Sequence, residues 1–147
     1  MKDGRVALIE RRRSDELFYL FPGGQVGAGE KPAEAAEREV REGLGLHVCI
    51  ERLVADVSFE GTDQLYYSVR ITDGQFGETG PGPEMHGDQG DPESHVPVWM
   101  PCRGLSGLPV FPRAVALLVE FSGNGWPHEV LRITDRGGES RAVAPAA

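Results

Sequence analysis

The sequence predicts a single α/β domain, and three observations carry that expectation. The length suits one core, short apolar runs of strand character alternate with helix-periodic stretches, and glycine and proline cluster between them. A chain of 147 residues buries roughly two thirds of the surface that its unfolded form exposes, so the core needs no disulfide or metal staple. With 39% hydrophobic and 26% charged residues, the composition is that of a globular protein rather than a disordered one. There is no internal repeat and no second apolar unit, so residues 1–136 are expected to form the domain and 137–147 a flexible tail.

Val6 to Ile9 and Leu17 to Phe21 are apolar runs separated by the charged Arg11-Arg12-Arg13-Ser14-Asp15-Glu16, which reads as strand, connection, strand. Pro22-Gly23-Gly24 ends the second strand, and Gly27 and Gly29 keep the chain in a loop. Pro32 then suits the first turn of a helix expected from Pro32 to Leu44. Gly45 stands where a left-handed cap is expected, and Leu46, Val48 and Ile50 alternate with polar residues as a half-buried strand does. Gln64 to Ile71 reads as a further strand, paired with Leu53 to Phe59 through a turn at Gly61-Thr62-Asp63. Val96 to Met100 is a strand, Pro112 to Phe121 a helix burying Val115, Leu118 and Val119, and Glu129 to Ile133 a last short strand. Between them, Asp73 to Ser94 is dense in glycine and proline and carries Asp73, Glu78, Glu84, Asp88, Asp91 and Glu93 without one Lys or Arg. Two readings of this acidic loop stand: a solvated excursion, or a source of carboxylates over a site.

The charge limits the partners. With 15 Lys and Arg against 23 Asp and Glu, the formal net charge is −8, which repels a nucleic-acid backbone at long range. Nucleic-acid binding is disfavoured, including work on RNA ends. A small anionic substrate needs a divalent cation or a local group of arginines. No apolar run approaches the ~18 residues of a membrane span and no signal-like N-terminus is present, so a cytoplasmic protein without a membrane partner is expected. Cys49 and Cys102 are far apart and have no neighbour at zinc-like spacing. The four histidines share no motif.

On a wheel of ~100° per residue, Ala33, Ala36, Val40 and Leu44 form an apolar stripe about 80° wide, with Glu39 and Glu42 together on its flank. Paired carboxylates on a rigid helix repel unless a cation sits between them, and magnesium takes a few carboxylates plus water and phosphate oxygens. The glycines before the helix let backbone groups approach a metal or a phosphate. Taken alone, a glycine loop before a Glu-rich helix is also what a solvated surface helix looks like.

The order of residues is more specific. Phe21-Pro22-Gly23-Gly24-Gln25-Val26-Gly27-Ala28-Gly29-Glu30, followed by Arg38-Glu39-Val40-Arg41-Glu42-Gly43-Leu44-Gly45-Leu46, resembles the signature of the Nudix family. Gly24, Glu30, Arg38, Glu39, Val40, Glu42, Gly45 and Leu46 all match at the required spacing. The resemblance implies a Nudix-type α/β/α sandwich with a mixed β-sheet between helices. It implies hydrolysis of a nucleoside diphosphate linked to another group, by water attack on phosphorus with Mg2+ or Mn2+. Glu39 and Glu42 would be catalytic and metal ligands, the Gly24 carbonyl would complete the metal's shell, and Glu30 and Arg38 would brace loop against helix. Arg11, Arg12 and Arg13 could bind substrate phosphate or form a solvated strand end.

Two departures from the pattern matter. Gly43 replaces the second consecutive Glu of the family, normally a principal metal ligand, and glycine inside a helix costs about 1 kcal/mol relative to Ala. Three consequences compete: weakened catalysis by Glu39 and Glu42, rescue by Glu84 or Glu93 from the acidic loop, or a binding or regulatory module that no longer cleaves its ligand. The second departure is at the start. Met1-Lys2-Asp3-Gly4 reads like the turn in the middle of the family's opening hairpin, so either the true start lies upstream or a sheet edge is left open, which a homodimer would cover.

Overall fold

The computed structural model describes residues 1–23, 26–59, 62–77, 94–122, 125–127, 129–135 and 140–143. Strand β1 runs over Arg5–Arg13 and β2 over Glu16–Leu20. Ladder pairing carries β1 beyond its apolar run and through all three arginines, from Ile9↔Leu20 to Arg13↔Glu16. The connection therefore shrinks to Ser14 and Asp15, with Ser14 at φ 53°. Helix α1 spans Pro32–Leu44 and ends at Gly45 with φ 78°. Strands β3 (Leu46–Phe59) and β4 (Thr62–Gly74) form a long hairpin. Their register reaches Phe59↔Thr62, so Thr62 and Asp63, expected in the turn, belong to the strand, while Gly61 lies outside the described residues. After β5 (Ser94–Pro101) come a 3-10 turn at Leu105–Gly107, the two-residue β6 (Val110–Phe111), α2 (Arg113–Phe121), β7 (Leu131–Asp135) and β8 (Ser140–Val143). Strand β8 pairs antiparallel with β7, where the sequence suggested a frayed tail. The glycine pair at 137–138 is the turn signal that could have revealed it.

The mixed character expected of the sheet is realised in two four-stranded sheets, ordered β5-β1-β2-β6 and β4-β3-β7-β8. Each joins antiparallel ladders to one parallel pair, β2 with β6 and β3 with β7. Strand β1 is the spine, because both its faces are covered. Val6 and Leu8 pack with Ala55, Val57 and Ile133 and with Val115, Ala116 and Val119 of α2. Ile9, with Ala7 packed alongside, joins Val40 and Leu44 of α1 and Leu46 on the other face. The period-two alternation of a strand thus sets one helix on either side.

The N-terminal reading holds in its local part. Asp3 (φ 53°) and Gly4 (φ 74°) form a two-residue turn, with Lys2 and Arg5 exchanging backbone hydrogen bonds of 2.8 and 3.0 Å. The open edge does not occur at β1, which is paired with β5 on one side and β2 on the other.

The C-terminal end of α1 is tied to the end of β4. The Gly77 N–H donates to the Leu44 carbonyl at 2.9 Å, and Phe76 stacks on Trp99 with centroids 4.9 Å apart. Trp99 packs against the cluster of Ile9, Val40, Leu44 and Leu46. Gly74, at φ 96°, lies so close that a Cβ there would overlap the Gly45 carbonyl oxygen. Gly74→Ala therefore combines positive-φ strain with a backbone clash, and should cost at least about 1 kcal/mol in denaturant unfolding.

Candidate functional site

Helix α1 begins without a side-chain oxygen at its N-cap. Pro32 presets the first turn, and Glu34 accepts the Lys31 backbone N–H at 3.1 Å. Val40 and Leu44 are buried, as the periodicity requires, while Ala33 and Ala36 are only half-buried. Ala35 is buried instead, at 4% exposure. It lies on the flank of Glu39 and Glu42, off the apolar stripe.

Arg38 draws in the loop before the helix. Its Nε and Nη2 donate to the two carboxylate oxygens of Glu30 at 2.9 and 3.1 Å, a bidentate pair. Glu30 Oε1 also accepts the Gly27 backbone N–H at 2.9 Å, which fixes the glycine loop to the helix. The remaining arm, Nη1, donates to Glu39 at 2.9 Å and to Glu42 at 3.2 Å. One guanidinium therefore gathers three carboxylates. The hydrogen bond to Glu30, then the one to Glu39, holds Arg38 firmly charged. Glu30 is held below its ordinary pKa, first by the Arg38 hydrogen bond and then by the Gly27 N–H.

Gly43, where the family carries an acid, sits over β1. A Cβ built on it would meet the Ile9 side chain at 3.7 Å, an ordinary contact. The substitution therefore removes a carboxylate without any steric requirement for glycine.

The three arginines divide between the faces of the first sheet. Odd positions of β1 share the α1 side with Ala7 and Ile9, which puts Arg11 and Arg13 there. Arg11 is half-buried, with its guanidinium 5.8 Å from the Phe18 ring centre. Arg12 is exposed and lies on the other face with Glu10 and Tyr19, where its charge opposes the rise in the Tyr19 pKa caused mainly by burial. Tyr66 packs on the core edge-on to Phe21, with ring centres 6.0 Å apart, and burial pushes its phenol well up. Gly24, Glu84 and Glu93 lie outside the described residues, as do His86 and His128.

The residues fit a divalent ion in one respect. Glu39 and Glu42 each turn one oxygen toward a single shared cation, the arrangement a hard metal uses when water and phosphate complete its shell. Among the described residues, no three Asp, Glu, His or Cys side chains are grouped to enclose a metal, so the pair suits an open site rather than a cage.

The family model of the NUDIX domain matches residues 1–117. The chain belongs to the Nudix family. Members generally act on small nucleoside diphosphate compounds and use divalent metals such as Mg2+ or Mn2+. Among solved structures, the Nudix chain is similar to the solution structure of the E. coli ORF135 protein. The two are 25% identical with a TM-score of 0.55, and the match covers 82% of this chain and 81% of that one. No curated protein matches it. No helix among the described residues is long and apolar enough to cross a membrane.

Two outcomes are expected. Gly43→Ala should raise stability by roughly 0.5–1 kcal/mol in denaturant unfolding, because it removes the helical glycine penalty at a site with room for the methyl group. The second concerns acid. Since Glu30's folded pKa is lowered, its contribution is complete above the ordinary Glu value near ~4.3 and is lost as pH falls through the lowered one. Glu30→Gln should flatten the stability-versus-pH curve in that acid window, with little change in its slope near neutrality.

Proposed function

We propose that the chain hydrolyses the pyrophosphate bond of a nucleoside diphosphate linked to another group, with Glu39 and Glu42 as metal-binding catalytic residues. The observation that carries this reading is the convergence of those two carboxylates on one cationic centre, at 2.9 and 3.2 Å from Arg38 Nη1. Magnesium or manganese held there, with the Gly24 carbonyl as a further ligand, would neutralise the diphosphate and lower the pKa of the attacking water. Arg38 suits the change from resting to loaded site. Nη1 can release Glu39 and Glu42 while Nε and Nη2 keep Glu30, so the loop stays fixed as the two acids turn to the metal. Arg11 and Arg13, which share the α1 face of β1 by strand alternation, would be the arginines of the triplet that meet substrate phosphate. Arg12 faces away. Glu84 or Glu93 would supply a third acid if one is used. Work in the cytoplasm agrees with a nucleotide substrate.

A second reading has its own support, from Gly43 and from the guanidinium that already balances both remaining acids. Under it, the chain is a Nudix-fold binding or regulatory module that retains its ligand uncleaved.

The test is product release from nucleoside diphosphate sugars, dinucleoside polyphosphates, NADH and nucleoside triphosphates, with Mg2+ or Mn2+, for the parent, Glu39→Gln and Gly43→Glu. The hydrolase reading expects turnover by the parent, its loss on chelation, and a fall of at least about 100-fold in Glu39→Gln. An inert parent beside an active Gly43→Glu variant would overturn it in favour of the module. The Gly43 site has room for a Cβ, so that variant should fold.

A further inference from the structure

We propose that the outward face of α2 pairs two copies of this chain, helix against helix in antiparallel order about a two-fold axis at Leu117. The inward face of α2 covers the core with Val115, Ala116 and Val119. Its outward face carries Arg113, Leu117 and Phe121, all exposed, which recur every four residues and so share one stripe of about 80°. Phe121 is 81% exposed, more than any other large apolar side chain among the described residues, and Leu117 is 44% exposed. Phe111, just ahead of the helix, extends the stripe, with its ring centre 5.4 Å from the Arg113 guanidinium. Apolar side chains gathered on one face mark a contact surface, whereas the same side chains scattered singly would not.

Charge selects a second copy as the occupant. Arg113 stands in the first turn of α2, where the helix dipole disfavours a cation, and the last turn has no basic residue to balance the negative end. An antiparallel copy corrects both faults, because each Arg113 then lies beside the C-terminal carbonyls of the other helix. Leu117 is the middle residue of Arg113–Phe121. An axis there sets Leu117 against Leu117, and Arg113 against Phe121 in both directions, as an isologous contact requires. The guanidinium that rests on Phe111 of its own chain can take the Phe121 ring of the second copy on its opposite face. Glu120, the acid of this helix, is turned to the backbone N–H groups of Gly104 and Ser106, so no carboxylate of α2 lies in the stripe. That matters in a chain of net charge −8, whose copies repel one another at long range.

A stripe on so short a helix falls short of the ~800 Å² per partner of a standard interface, so the pair is a weak, reversible dimer. Helix α1 packs on the other side of β1, so the contact leaves Glu39 and Glu42 open and does not rest on the hydrolase reading. Sedimentation of the full chain from low micromolar to near-millimolar concentration should show a mass rising toward that of the dimer. Leu117→Glu, which sets two carboxylates on the axis, should stay monomeric throughout, with the circular dichroism and low-concentration Tm of the parent. Arg113→Glu should weaken association about tenfold or more, and Phe121→Lys should weaken it as well. The two changes together should associate more tightly than either alone, because each new carboxylate then faces the new ammonium of the other copy. Within one helix those positions are too far apart to meet. A parent that stays monomeric, which would give the face to a different protein, overturns the proposal. So does a dimer unmoved by Leu117→Glu, or a double variant no tighter than its two single changes.

Discussion

The Arg38 guanidinium is the point on which the Nudix segment depends. Three carboxylates, one from the loop and two from the helix, would repel one another if drawn together alone, and the loop has few side chains with which to hold its own shape. One planar cation resolves both problems by giving two donors to Glu30 and a third to Glu39 and Glu42. Glu30 then returns the constraint to the backbone by accepting the Gly27 N–H. Lysine could supply the charge, but not the fork that separates the loop bond from the helix bonds.

That clamp rests on a scaffold made rigid from below. Strand β1 carries alternate side chains into two different cores, so α1 is held against Ile9 while α2 is held against Val6 and Leu8. The other end of α1 is secured by the Gly77 N–H on the Leu44 carbonyl and by the close approach of Gly45 and Gly74. The helix bearing Glu39 and Glu42 is thereby fixed at its loop, along its length and at its cap. Fixed elements place catalytic side chains more sharply than free loops do.

Much of this arrangement was legible in the residues. The helix from Pro32 to Leu44 and its Gly45 cap stand where periodicity and capping chemistry put them, because both are local signals. The path of β1 through Arg11, Arg12 and Arg13 was not legible, since those charges read as a connection and only pairing with β2 and β5 makes them strand. Burial of Ala35 was missed because the wheel registers only the stripe that meets the core, and Ala35 lies off it on the flank of Glu39 and Glu42. Among the site residues, spacing alone joined Glu39 to Glu42. The division of the arginines between two faces required the strand to be known first.

Gly43 is best understood through the charge of this cluster. Glu30, Glu39 and Glu42 all bond the single guanidinium of Arg38. A glutamate at position 43 would lie one helical turn from Glu39 on the same flank and raise the repulsion that a cation must offset. With glycine there, that added repulsion is absent, and Arg38 holds Glu39 and Glu42 through its own hydrogen bonds. On the proposed reading, the residue that removes one of the family's metal-binding acids therefore also eases the gathering of the remaining acids around Arg38.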